Sequence, residues 1–425
     1  MSDEKPVQHR RVPQHQRHPQ VEGAESPVLA RASLLLHGGR PRSEPGDPVV
    51  SPLSQSVNYA MPASGDAELR YPRYGNTPNA QLLQRRLAML EGAEAALILA
   101  SGMGATACTM LALLRPGDHV VASSWLYGGT RQFMERELPA YGIETTFVDP
   151  TETRGWRRSM RRNTRLLFLE SPVNPTTRVI DMRPVRTIAK ESGIALVVDS
   201  TFASPINFRP IEHGADVVIH SATKYLNGHH DVLAGVVCGA EAVIEEVRAK
   251  MSVWGQAPDP FAVWLLERGL KTLDVRVQRQ NANAMRIAQW ASSHPAIKTV
   301  HYPGLPSHPD HEIAAAQLDG FGGMLAIELA GGPDAAQRAL SRLSLFVHAT
   351  SLGGVDSLVS EPRFTSHRHL SSEQRAALGI PDGFLRLSVG IEDADDLIAD
   401  LAQAIGDDVA TVVSDSRARD AQGVS

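Results

Sequence analysis

Short apolar runs recur along this chain at 95–101 (AALILAS), 119–123 (HVVAS), 143–148 (IETTFV), 165–170 (RLLFLE), 194–199 (IALVVD), 217–220 (VVIH) and 234–238 (AGVVC). They lack a regular apolar–polar alternation, so they read as strands covered on both faces rather than strands with one wet face. Helix-like stretches separate several of them, such as 103–114 and 183–191. Strands that alternate with helices imply a parallel or mostly parallel sheet wrapped on both sides. The expected fold is therefore α/β. After about residue 273 the pattern changes to a long helical stretch, about 275–293, followed by mixed strands and helices. That predicts a second, smaller α/β domain.

The boundaries follow from composition. Residues 1–28 are rich in His, Gln, Arg and Pro, lack the apolar core of a signal peptide, and read as a disordered leader. Residues 29–75 are turn-rich and read as an extended N-terminal arm. Residues 76–273 form the first domain, 274–412 the C-terminal domain, and 413–425 a loose tail. No run is long enough to span a membrane. A net charge of −5 gives no sign of the basic face that nucleic-acid binding requires. The two cysteines, Cys108 and Cys238, fall in an apolar helix-like and an apolar strand-like run and lack the spacing of a zinc site. A reducing, cytoplasmic setting fits them.

Four features fall at the carboxyl ends of expected strands, where open α/β sheets bind ligands. Ser101-Gly102-Met103-Gly104 stands between a strand and a helix, where bare backbone and free N–H groups suit a phosphate; a plain glycine turn is an equal reading. Tyr127 follows the second run, and its ring is placed either to stack on a flat ligand or to serve as an ordinary loop tyrosine. Asp199 ends IALVVD and needs a partner, either a protonated ring nitrogen or the N–H groups of the next helix. Lys224, in HisSerAlaThrLysTyr (220–225), follows a buried run and the hydroxyls of Ser221 and Thr223. A partly desolvated lysine has a lowered pKa and becomes nucleophilic; most lysines are solvated surface charges. Taken in order, the four make a phosphate cup, a ring stacker, a pyridinium partner and a Schiff-base lysine, the equipment expected around pyridoxal 5′-phosphate (PLP).

With those residues in place, the chain resembles the Cys/Met-metabolism PLP enzymes of fold type I, from about Leu34 to about Asp400. The family includes cystathionine γ-synthase, the cystathionine γ- and β-lyases, methionine γ-lyase and the O-acylhomoserine sulfhydrylases. HSATKYLNGHHDVLAG (220–235), SLGGVDSL (351–358) and LRLSVGIED (385–393) carry the resemblance. It implies a seven-stranded, mostly parallel sheet between helices as the PLP-binding domain, with PLP on Lys224. It implies that Gly102 and Met103 bind phosphate through N–H groups, aided by Ser221 and Thr223. Tyr71 and Arg73 would reach the phosphate of a neighbouring subunit, which makes a homodimer obligatory and a homotetramer usual. Arg386 would clamp the substrate α-carboxylate. Asn174 would lie near the cofactor ring oxygen and that carboxylate, with Ser351 and Thr350 beside the substrate.

The activity so implied is elimination or replacement of a γ-substituent on a small amino acid, through a vinylglycine-type intermediate. Lys224 would shuttle protons and Tyr127 would assist. The alternatives are β-elimination to pyruvate and a catalytically silent PLP-binding protein. Three departures bear on substrate. Thr350 stands where enzymes handling cystathionine often have Glu, and Gly129 stands where methionine γ-lyases usually have Cys. Asn76-Thr77-Pro78-Asn79 replaces the usual AsnProThr and alters a turn. Together they point to a small or weakly polar γ-substituent: an O-acyl group, a thiol or a halide. The doublet His229-His230 does not read as a metal site, because neighbours on a strand face opposite ways.

Overall fold

The computed structural model describes residues 29–41, 43–61, 63, 68–368 and 370–406. The leader and tail assigned above to 1–28 and 413–425 lie outside the described residues. Seven strands build the larger sheet: β1 Ala95–Leu99, β2 His119–Ser123, β3 Glu144–Val148, β4 Thr164–Glu170, β5 Ala195–Asp199, β6 Val217–His220 and β7 Gly235–Gly239. Their spatial order is β1-β7-β6-β5-β4-β2-β3. Only β7 runs against its neighbours; all other pairings in this sheet are parallel. Hence β1, β2, β4, β5 and β6 all point their carboxyl ends at one edge, where Ser101–Gly104, Tyr127, Asp199 and Lys224 follow them.

The strands are apolar throughout because both faces are covered. Ile98, Val121, Leu167, Leu196, Val198 and Val218 belong to the core on one side, Leu97, Val120, Leu166, Val197 and Val217 to that on the other. Both cysteines are buried, Cys108 in helix Gly102–Leu113 and Cys238 in β7. Burial pushes the Cys108 thiol up to about 11, so both are inert packing groups rather than nucleophiles.

Helix Leu273–Ser292 leads into a smaller, five-stranded sheet made of β8 Ile297–His301, β9 Met324–Leu329, β10 Val347–His348, β11 Leu358–Ser360 and β12 Phe384–Ser388. The order is β10-β11-β12-β9-β8, antiparallel except at β10–β11. Several helices have no counterpart in the sequence reading, two of them before β1. Arg31–His37 interrupts the extended arm, burying Leu34 and Leu35. Pro78–Glu91 starts at the Thr77 cap with Pro in its first turn and stops at Gly92 in the left-handed conformation. Its Arg86 is fully buried; it donates to the Gly38 carbonyl at 3.1 Å and sits 3.6 Å from Glu267, tying the arm to the large domain. His229 and His230 also differ from expectation. They lie in a turn, not a strand, because Gly228 and His230 both take positive φ and break the extended backbone.

Candidate active site

A cavity of about 510 Å³ opens at the carboxyl edge of the large sheet and is closed from the far side by the smaller domain. Every expected site residue except Tyr71 and Arg73 lines it. Those two sit on the arm side, in a short 3₁₀ turn where the Arg73 guanidinium lies 5.3 Å from the Tyr71 ring centre. Residues lining the cavity that the sequence reading passed over include Glu170, Thr201, Thr130, Phe364 and Arg368.

The wall nearest the large domain is built by strand ends and one helix start. Ser101 caps helix Gly102–Leu113, its hydroxyl accepting the Gly104 N–H at 3.0 Å. The first N–H groups of a helix have no acceptor within it, so Gly102 and Met103 present donors and positive dipole to the cavity. Gly102 must be glycine here: a Cβ would stand 2.8 Å from the Ser221 Cβ, so the helix start can approach the lysine loop only bare. Ser221 and Thr223 line the same region. The Thr223 hydroxyl is already tied to Ala234, donating to its carbonyl at 3.2 Å and accepting its N–H at 3.0 Å.

Asp199 ends β5. Its Oδ1 accepts both the Thr201 N–H (3.0 Å) and the Thr201 hydroxyl (2.6 Å), which leaves Oδ2 for a ligand. Burial raises the Asp199 pKa, and the two Thr201 bonds oppose that. Thr201 is thus the partner that the sequence reading sought in a helix cap, while the outer oxygen keeps its free valence. Tyr127 is half exposed over the cavity, and its N–H donates to Glu170 Oε2 at 2.7 Å.

The two cations of the site meet at Ser351. The Lys224 Nζ donates to the Ser351 hydroxyl at 2.8 Å. Burial, then the nearby Arg386 charge, lowers its pKa to about 8. Arg386, on β12, donates through Nη1 to Asn174 Oδ1 (3.1 Å) and through Nη2 to the Ser351 carbonyl (2.8 Å). Its Nε is buried without an acceptor. Ser351 holds φ +78°, a left-handed conformation costly for a residue with a side chain, and so turns both its carbonyl and its hydroxyl towards these cations.

These groups fit PLP and an amino acid together. A bare helix start suits a phosphate, a free carboxylate oxygen suits a ring N–H, a neutralisable lysine suits an aldehyde, and an orphaned guanidinium N–H suits a carboxylate. The comparisons agree. The Cys/Met metabolism PLP-dependent enzyme family matches residues 32–406. This chain belongs to that family. It is a PLP-dependent enzyme of fold type I, with an α/β architecture shared by solved relatives. L-Methionine γ-lyase of Pseudomonas putida is 40% identical over 385 residues, covering 88% of this chain and 96% of that one. Cystathionine β-lyase of Coxiella burnetii is 41% identical over 375 residues, covering 87% and 96%. The structure of cystathionine γ-synthase from Xanthomonas oryzae, in complex with aminoacrylate and cysteine, has 35% identity and a TM-score of 0.85, covering 91% of this chain and 99% of that one. Among the described residues no helix is long and apolar enough to cross a membrane.

Proposed function

We propose that this enzyme eliminates or replaces the γ-substituent of a γ-substituted L-amino acid, with the α-carboxylate held by Arg386 and protons moved by Lys224. The observation that carries the reading is the meeting of the two at Ser351, in one cavity with Asp199: a lysine poised near neutrality, an arginine with one buried N–H left over, and a carboxylate with a spare oxygen. When bound, PLP supplies an electron sink for charge developed at the substrate Cα. Asp199 Oδ2 would hold the proton on the ring nitrogen. Gly102 and Met103 N–H groups, with the Ser221 hydroxyl, would hold the phosphate; Thr223 shapes the same loop through Ala234. Tyr127 would stack on the ring. Lys224, with a pKa of about 8, takes and returns protons at Cα and further along the substrate without a large thermodynamic penalty near pH 7. Arg386 and Asn174 fix the carboxylate, so that the Cα–H bond is presented to Lys224.

The outer wall supports a substituent that carries no positive charge. Thr350, Phe364, Thr365 and Ser366 are uncharged, and the remaining charge there is the cation of Arg368. Among the described residues a distal ammonium, as on cystathionine, finds no carboxylate on that side, whereas an O-acyl group, a thiol or a halide fits. We also infer that the catalytic unit is at least a dimer and works in the cytoplasm. The arm exposes Val49, Val50, Val57 and Met61, with Val49 82% and Met61 74% accessible, and leaves Tyr71 and Arg73 off their own cavity. A neighbouring copy is the natural cover for the first set and the natural site for the second. Residues 76–273 would then act as the PLP-binding domain and 274–412 as the C-terminal domain.

The deciding assay offers β- and γ-substituted amino acids to purified enzyme and identifies the 2-oxo acid and the leaving group. A four-carbon 2-oxo acid, or a γ-replacement product when a thiol is added, is expected; pyruvate alone overturns the reading. Lys224→Ala should lose the visible absorbance of lysine-bound PLP. Retention of that band would remove Lys224 from its role.

A further inference from the structure

Glu170 is buried and has a like-charged neighbour. It ends β4 in direct register with Asp199 at the end of β5, so two carboxyl groups stand side by side at the floor of the cavity. Among the described residues no lysine, arginine or histidine forms an ion pair with it. An unpaired buried carboxyl is costly, and a fold keeps one where something else depends on it. Its two oxygens divide between two loops. Oε2 accepts the Tyr127 N–H at 2.7 Å, and Oε1 accepts the Asn174 N–H at 3.0 Å. Tyr127 follows β2 and Asn174 follows β4, and the Asn174 side chain in turn receives Arg386 Nη1.

We propose that Glu170 is a positioning residue that clamps the Tyr127 loop to the Asn174 loop, so that the ring cover and the carboxylate-binding pair Asn174–Arg386 are held as one unit. The chain of contacts is continuous: Tyr127 backbone, Glu170, Asn174 backbone, Asn174 amide, Arg386 guanidinium. No second acceptor for either N–H is found among the described residues. The side chain works through others and need touch neither substrate nor the reacting atoms. Burial, and then the charge of Asp199, lift the Glu170 pKa to about 8 against the opposing pull of the two N–H bonds.

The clamp has its own test. Its effect on turnover rests on reading the cavity as the PLP site, but the clamp itself is measurable in apoprotein. Amide hydrogen exchange at single-residue resolution should show Glu170→Ala losing protection at Tyr127 and Asn174 together, with the core of β2 and β5 unchanged. Glu170→Gln keeps one acceptor oxygen and turns the other into a donor, so one of the two amides should lose protection and the other keep it. Uniform loss of protection in both variants, or none, overturns the clamp. In holoenzyme corrected for PLP content, Glu170→Ala should raise KM and lower kcat together, with kcat/KM down on the order of tenfold to a hundredfold for two lost buried bonds. Tyr127→Phe should then cost clearly less in the Glu170→Ala background than alone. If that cycle is additive while the exchange pattern holds, the clamp stands as a structural brace and its catalytic part fails. If the exchange pattern holds and no amino acid is turned over by the wild type, the proposed function fails and the clamp does not.

Discussion

Lys224 should titrate near pH 8 in the apoprotein, and Arg386 should account for the smaller part of that depression. An ordinary lysine amine has a pKa of 10.5 and Lys224 one of about 8, so at pH 7 it carries roughly 300-fold more free base than an exposed lysine. Competitive acylation with isotopic acetic anhydride, read by peptide mapping, resolves it well, because the chain has six lysines. Its reactivity should rise with a midpoint near pH 8, while an exposed amine is still protonated. In Arg386→Met the midpoint should rise but stay nearer 8 than 10.5, since burial is the first cause and the guanidinium the second. The linkage has a definite sign. The folded chain binds this proton less tightly than the unfolded chain, so burying the charged amine destabilises the fold below pH 8, and that penalty fades as pH rises through 10.5. At 1.4 kcal/mol per tenfold the penalty is at most on the order of 3 kcal/mol. Lys224→Met removes it, so the variant's stability advantage in apoprotein should be largest near neutrality and shrink in alkali. A Lys224 midpoint at that of an ordinary amine, or one that reverts fully in Arg386→Met, refutes the argument from burial.

Three further perturbations probe other parts of the molecule. Asp199→Asn should leave PLP attached while lowering kcat/KM by about 10²–10³-fold, the usual loss of one preorganised electrostatic partner; kinetics corrected for cofactor content check it. Glu267→Ala strands the buried Arg86 guanidinium and removes the acceptor of the Ser51 hydroxyl at 2.8 Å, so it should cost about 3–5 kcal/mol; an unchanged thermal midpoint contradicts this. Gly129→Cys places a Cβ 2.7 Å from the Tyr127 ring and 3.1 Å from the Met103 sulfur, so the ring must move; an altered ratio of γ-substituted substrates, measured as kcat/KM, is expected, and identical ratios would detach residue 129 from specificity.

What could be read in the sequence follows from which interactions are local. The seven runs proposed as strands fall on the strands of the large sheet to within a residue or two, because continuous apolarity over five or six residues has few other uses. Helix Pro78–Glu91 escaped because its buried face is diluted: Gln84, Arg86 and Glu91 are all buried with the leucines, so the apolar stripe breaks up. Its caps, Thr77-Pro78 and Gly92, were the available signal. Glu170 escaped although it ends RLLFLE as Asp199 ends IALVVD. Equal weight on strand-terminal acids would have found it, since both stand at the same edge. The left-handed backbone of Ser351 has no composition signature, for a serine carries no mark of the φ its neighbours impose. Tyr71 and Arg73 lie off the cavity, so their expected role at a phosphate rests on the neighbouring copy proposed above.

The charges of the site explain why so much of it converges. Asp199 and Glu170 stand side by side at the strand ends of the large sheet, Lys224 and Arg386 share Ser351, and all four line one cavity, largely withdrawn from bulk water. Among the described residues no ion pair joins any of them to a partner of opposite charge. Left to itself, folding would either pair such groups or neutralise them, and the pKa directions show the second response: both acids are raised and both bases lowered, with burial the first cause in each case. On the proposed function, a ligand set that brings a cationic ring nitrogen to Asp199 and a carboxylate to Arg386 at once would meet both demands. PLP alone offers the first and an amino acid alone the second, so only the two together satisfy the cavity. On that reading the largest electrostatic gain would fall on the state in which cofactor and substrate are both present.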